Sequence, residues 1–189
     1  MSAHESMEHA EHAQHASGEN KKIALLIAVL ALCLAFSETL GKGAQTEAIS
    51  LNVQAANYWA FFQAKTIRRT VVQTAAEQAK LAPADPAVTA QIEAWQKTAA
   101  RYRTEPETGE GSEQLAEKAK HAEHERDTSL AKYHQFELAS GAFQIAIVLA
   151  SATIITGMVV LAWIAGLLGV GGLMFLGLGV FAPHAVHLM

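Results

Sequence analysis

One cysteine, Cys33, stands among the 189 residues. A lone thiol forms no disulfide within its own chain and supplies no cysteine-based zinc site. It lies in an apolar run, where ionisation to a reactive thiolate is disfavoured. Charge is missing over a much longer stretch. From residue 138 to Met189 there is no Asp, Glu, Lys or Arg. That is about fifty uncharged residues, where one membrane-spanning helix needs about 20. Proline and glycine are both absent from residue 44 to residue 82, so nothing there interrupts a helix. Basic excess is lacking too. The net charge is −4, which predicts no affinity for nucleic acid. The chain also has no nucleophile elbow, no glycine-rich phosphate loop before a helix and no H-E-x-x-H zinc signature. These absences argue against an enzyme, and no cofactor is implied.

What is present is apolar and unevenly placed. Hydrophobic residues make up 51% of the chain and gather in two blocks. The first follows Lys21 and Lys22 and gives a predicted transmembrane helix over residues 21–41, with Glu38 at its far interface and Gly41 and Gly43 at its exit. It resembles the start of a secretory signal, but no A-x-A site follows and the run continues past Cys33, so it reads as a retained anchor. The second block, residues 140–189, has room for two spans, placed at about 140–160 and 167–183 with a turn near Trp163 to Gly166. Tryptophan suits a membrane interface.

Between the blocks, residues 42–139 read as an extramembrane helical hairpin. A long helix covers 44–82. Asp85 and Pro86 then offer an N-cap and a first helical residue for a helix over 86–103. Its apolar stripe is Val88, Ile92, Trp95, Ala99 and Tyr102, in steps of four and three. The segment "TEPETGEG" (104–111) is a loop, and Ser112 caps a last helix over 112–139. That helix shows a stripe of Leu115, Ala119, Ala122, Ser129, Tyr133 and Phe136, weakened by Arg126. The expected fold is thus all-α and integral to the membrane. It has three transmembrane helices, with the long helical hairpin between the first and second. Residues 1–20 form a His- and Glu-rich tail expected to be disordered.

The segment "NYWAFFQAKTIRRT" (57–70), with "NKKIALLIAVLALCLAFSETLGKGAQTEAI" (20–49) before it, resembles the bacterial membrane proteins grouped as domain of unknown function 4337. The shared features are an anchor, an aromatic-Gln-Ala-Lys-x-Ile-Arg/Lys segment, a helical stretch and a closing membrane hairpin. Trp59, Phe61, Phe62, Gln63, Ala64, Lys65, Ile67 and Arg68 hold those positions here. Two departures stand out. Phe61 and Phe62 replace expected tyrosines, and the last hairpin turn lacks basic residues. The resemblance covers the chain past Asn20 and implies no activity.

On a helical wheel the long helix carries two apolar stripes. Ile49, Val53, Ala56, Ala60, Ile67 and Val71 form one. Leu51, Ala55, Tyr58, Phe62, Val72 and Ala76 form the other, broken by Lys65 and Arg69. Two stripes suggest two neighbours: the chain's own returning helices and another subunit. The competing arrangement is a three-helix packing within one chain, with the helix over 86–103 covering the second face. Tyr58, Trp59, Phe62, Lys65, Arg68 and Arg69 are the candidate oligomer or partner interface. The basic three would pair with acids such as Glu113, Glu117 or Glu123, or stay solvated. Small residues spaced for close packing in lipid include Ala24, Ala28, Gly157, Gly166 and Gly169.

Histidines recur at a spacing of three: "EHAEHAQHA" (8–16), "HAEH" (121–124), then His184 and His187. An odd number of spans separates the first group from the others. Only His9, His12 and His15 are left as a metal site, weak unless several tails assemble, and solvation is the simpler state.

The expected role is therefore a membrane-anchored structural or interaction protein, as a homo-oligomeric scaffold or an accessory subunit of a membrane-protein partner. Competing classes are a small channel or transporter component, lined by residues such as Gln144, Ser151 and Thr153, and a metal- or pH-responsive sensor working through the tail. Lys21 and Lys22 favour a cytoplasmic N-terminus. The expected location is the bacterial inner membrane, multi-pass, with the helical middle in the periplasm.

Overall fold

A computed structural model describes residues 3–83 and 85–185, with side chains from residue 20 on. Among them the chain is all-helical and without strands. Its helices are α1 (Ala3–Ala79), α2 (Pro86–Arg103), α3 (Ser112–Thr156) and α4 (Val159–Phe181). The side chains of the tail expected to be disordered, with His9, His12 and His15 as metal ligands, lie outside those described. Three helices, α1, α3 and α4, are long and apolar enough to cross a membrane. The chain divides into two compact units, Met1–Thr46 with Thr128–Met189, and Glu47–Asp127.

The first unit packs parts of α1, α3 and α4 around small and aromatic side chains. Leu30, Ala139, Phe143, Ala146, Ala150 and Ala165 form its buried centre. On α3 the buried residues recur at Ala139, Phe143, Ala146 and Ala150, the spacing of one helix face. Alanine there lets the helices approach closely. Glycines on α4 receive the larger groups. A Cβ added at Gly172 would stand 2.7 Å from the Phe143 ring, and one at Gly179 would stand 2.6 Å from the Phe136 ring. Gly169 faces Leu30 in the same way, at 2.8 Å. The buried Ser37 hydroxyl donates to the Phe136 carbonyl at 2.8 Å, tying α1 to α3.

The outside of this unit is apolar. In the most apolar stretch of α1, α3 and α4, only 11%, 28% and 17% of residues are buried within the chain. Leu25, Val29, Phe36, Val148, Leu167 and Val170 are among the large side chains that face outward.

Three boundaries differ from the sequence reading. The turn between the last two helices is at Gly157 and Met158, not near residues 163–166. The predicted spans at 140–160 and 167–183 give way to the end of α3 at Thr156 and to α4 from Val159. Gly157 adopts φ +72°, a left-handed conformation open to glycine but costly for other residues. Its N–H bonds the Thr153 carbonyl at 2.9 Å, and the Met158 N–H bonds the Thr156 hydroxyl at 3.3 Å. Trp163 marks no turn and lies within α4. Secondly, α1 runs unbroken through Gly41 and Gly43. Gly41 is buried with the Phe136 Cβ 3.5 Å from where its own would be. Tertiary packing at Gly41 opposes the roughly 1 kcal/mol that a glycine costs a helix. The same helix stops at Ala79, three residues before the predicted end.

The second unit is a three-helix packing of α1, α2 and α3. Asp85 caps α2, its carboxylate accepting the Ala87 N–H at 2.7 Å, and Pro86 opens the helix. The stripe Val88, Ile92, Trp95, Ala99, Tyr102 is the side of α2 turned inward. Leu115, Ala119 and Ala122 are buried on α3.

Candidate functional site

The aromatic and basic segment of α1 lies in the second unit. Trp59 donates its indole N–H to the Glu123 carboxylate on α3 at 2.8 Å. Phe62 meets Trp59 edge to face, ring centroids 5.4 Å apart, the favoured arrangement for aromatic pairs. Lys65 reaches Glu105 at 3.3 Å and Glu110 at 3.9 Å, and its ammonium sits 5.7 Å from the centre of the Tyr102 ring. A cation over that ring face adds to the pairing. Arg126 donates to Asn52 at 3.3 Å, linking α3 to α1.

The loop between α2 and α3 is held by the same kind of bond. Arg103 pairs with Glu113 at 2.7 Å, and the Thr104 hydroxyl donates to the other Glu113 oxygen at 2.6 Å. Those hydrogen bonds, from Thr104 first and then Arg103, hold the Glu113 carboxyl below its ordinary range. The charges of Arg103 and Arg69 add to this, and outweigh partial desolvation. For Glu105 desolvation pushes upward, but the hydrogen bond and charge of Lys65 prevail, aided by Thr108 and Arg101, and its carboxyl is lowered too.

The two stripes of α1 therefore have different fates. The one broken by Lys65 and Arg69 is turned inward: Ala55 and Ala76 are buried, and Leu51, Tyr58, Phe62 and Val72 are half-buried. The unbroken one is exposed. Ile49 is 61% exposed, Val53 54%, Ile67 64% and Val71 63%, and Ala56 and Ala60 between them are exposed as well.

A family model described as Domain of unknown function (DUF4337) matches residues 19–182. The chain belongs to this family. No curated protein and no solved structure matches it. Residues 57–70, within the matched range, supply Trp59, Phe62 and Lys65 to the packing of the second unit.

Most of the predicted interface residues of this DUF4337 chain work within one chain. Trp59, Phe62 and Lys65 make the contacts above, and Tyr58 and Arg69 are half-buried beside them. Arg68 alone of the six is exposed. The apolar surface that is free is the opposite side of α1, because a helix satisfied along one face leaves the other to solvent. Lys65 takes Glu105 as its partner rather than Glu113, Glu117 or Glu123, since the loop folds back alongside α1. Spacing along the chain carried no signal for that.

Among the predicted membrane-packing residues, Gly169 packs against Leu30 and Gly157 forms the turn. A Cβ at Gly166 would meet nothing within 4 Å, and Ala24 and Ala28 are exposed. The pairings of Phe136 with Gly179 and Phe143 with Gly172 were missed. Two phenylalanines seven apart, matched by two glycines seven apart, are the signal that would have found them.

The polar groups of the apolar helices are largely engaged with backbone. Ser151, Thr153 and Thr156 each donate to the carbonyl four residues earlier. Gln144 lies 3.5 Å from Glu38. His184 lies 3.2 Å from the Thr128 hydroxyl, and His121 pairs with Glu125 at 3.4 Å. Among the described residues no group of three or more His, Cys, Asp or Glu side chains is placed to hold a metal.

Proposed function

We propose that this chain is a multi-pass protein of the bacterial inner membrane that acts as a structural or interaction protein, not as an enzyme, and works as a homo-oligomeric scaffold. Parts of α1, α3 and α4 cross the bilayer. The helices of the second unit lie outside it, in the periplasm, with the N-terminus in the cytoplasm. Three helices with apolar, outward-facing side chains support the membrane reading. The observation that carries the interaction reading is the exposed apolar face of α1 opposite a satisfied one. A row of large apolar side chains left open to water marks a surface that binds protein. A pore draws less support, because the span hydroxyls already bond their own backbones.

The test is mass measurement by light scattering on the detergent-purified full chain. A mass at a whole multiple of the 20.2 kDa chain, two or more after subtracting detergent, is expected. A monomer at all concentrations would remove the scaffold reading.

A further inference from the structure

We infer that the exposed face of α1 is the seam on which a second copy of this chain packs, parallel and about a two-fold axis. This rests on the oligomeric reading above and specifies its surface, orientation and register. Four properties of the face point to it.

At about 100° per residue, Ile49, Val53, Ala56, Ala60, Ile67 and Val71 fall within a wedge of about 60°. The residues turned inward centre on the opposite side, roughly 180° away. The helix therefore offers two separate seams, and the second unit fills only one. Next, the open seam has no charge. Gln63, Asn52, Asn57, Ala64 and Thr70 beside it are all uncharged. A strongly acidic or basic partner would find no complement there, whereas a copy of the same face meets no repulsion. Polar amides on its flanks also make it unsuited to lipid.

The face is, thirdly, self-complementary in shape. Ala56 and Ala60 lie between the bulkier pairs Ile49/Val53 and Ile67/Val71, so two backbones meet most closely at the middle. Lastly, two copies anchored by the same span carry each seam residue the same number of residues from the bilayer. Identical residues then meet, which is the isologous contact that a two-fold axis requires. Confinement to one membrane raises their effective concentration.

Disulfide trapping in native membranes tests this. Cys33 is the sole cysteine, so C33A gives a clean background. V53C, A60C and I67C place a thiol in the seam. Q54C, F61C and R68C each place one a single residue further round, at positions that are also exposed. Oxidation with copper–phenanthroline is expected to make a linked dimer the main species for the first three and to leave the second three monomeric. If a seam variant fails to accumulate, A56C or V71C takes its place. Equal trapping in both sets overturns the seam. Trapping at one seam position alone indicates an antiparallel crossing and overturns the parallel arrangement. An adduct of any other mass means a different protein sits there and overturns the proposal. An oligomer by light scattering with no trapping in the seam refutes this face and leaves the scaffold reading standing. A monomer by light scattering removes both.

Discussion

Gly171 and Gly172 are neighbours on α4 with opposite surroundings, and replacing each by alanine isolates one packing effect. A Cβ at Gly171 meets nothing within 4 Å. Alanine there should gain helix propensity worth about 1 kcal/mol. A Cβ at Gly172 would stand 2.7, 2.9 and 2.9 Å from three atoms of the Phe143 ring. Phe143 is completely buried, so the ring has no free space into which to turn. The propensity gain is the same, but overpacking of a tight core opposes it by about 1–3 kcal/mol. Gly172→Ala should then lie between neutral and about 2 kcal/mol destabilised, and about 1–3 kcal/mol below Gly171→Ala. The double variant G172A/F143L should recover part of the loss, because leucine withdraws the ring edge. Unfolding by sodium dodecyl sulfate in mixed micelles, followed by circular dichroism and by Trp163 fluorescence with Trp59 and Trp95 replaced by phenylalanine throughout, gives the ranking. Should Gly172→Ala prove as stable as Gly171→Ala, the fitting of Phe143 into a glycine notch is wrong, and the account of this unit fails with it.

Other consequences follow from individual contacts. Glu105 and Glu113 have folded carboxyl values below the ordinary 4.5. Their stabilisation is therefore complete above 4.5 and is lost as pH falls through the lowered folded values. The thermal midpoint followed by circular dichroism should drop on the acid side, and Glu113→Gln should flatten part of that drop. Asp85→Ala removes the α2 N-cap and should cost about 1 kcal/mol, read by chemical denaturation as a shift in midpoint at constant slope. Gly157→Val forces a branched residue into φ +72° and should cost upwards of about 1–2 kcal/mol, seen as a lower detergent-unfolding midpoint. Ser37→Ala loses the 2.8 Å bond to the Phe136 carbonyl. By the scale of interhelical bonds in membranes it should cost about 0.6 kcal/mol, a small shift in the same assay.

The features that could be read from the sequence are those set by local chemistry. Asp85 and Pro86 announce the start of α2 because a cap needs only its own next residues. The stripe from Val88 to Tyr102 is legible because burial follows helical period. The turn at Gly157 was not, for a physical reason: residues 157–179 contain seven glycines, and only packing decides which one leaves the helix. The continuity of α1 through Gly41 was hidden likewise, since the Phe136 side chain that covers it lies far along the chain. The hardest point was which stripe of α1 faces inward. Tyr58, Phe62, Lys65 and Arg69 on the broken stripe read as a surface for another subunit or partner. Lys65 is instead met by Glu105, an acid in a loop whose path the pattern of residues does not encode. For the candidate site, the residues of the 57–70 segment were found, but their use within one chain required their partners.

The notches on α4 have a mechanical consequence. Phe136 faces Gly179 and Phe143 faces Gly172, so α3 and α4 mesh at two teeth seven residues apart. Sliding α4 by one turn in either direction would press one ring against Phe175 or Leu176. Close-packed interiors do not yield to such an overlap by gradual deformation, and shear between helices needs neighbours that slip past each other. The pair is indexed to a single register, so a signal arriving at one end of this unit would travel as rigid-body motion rather than as a change of internal alignment.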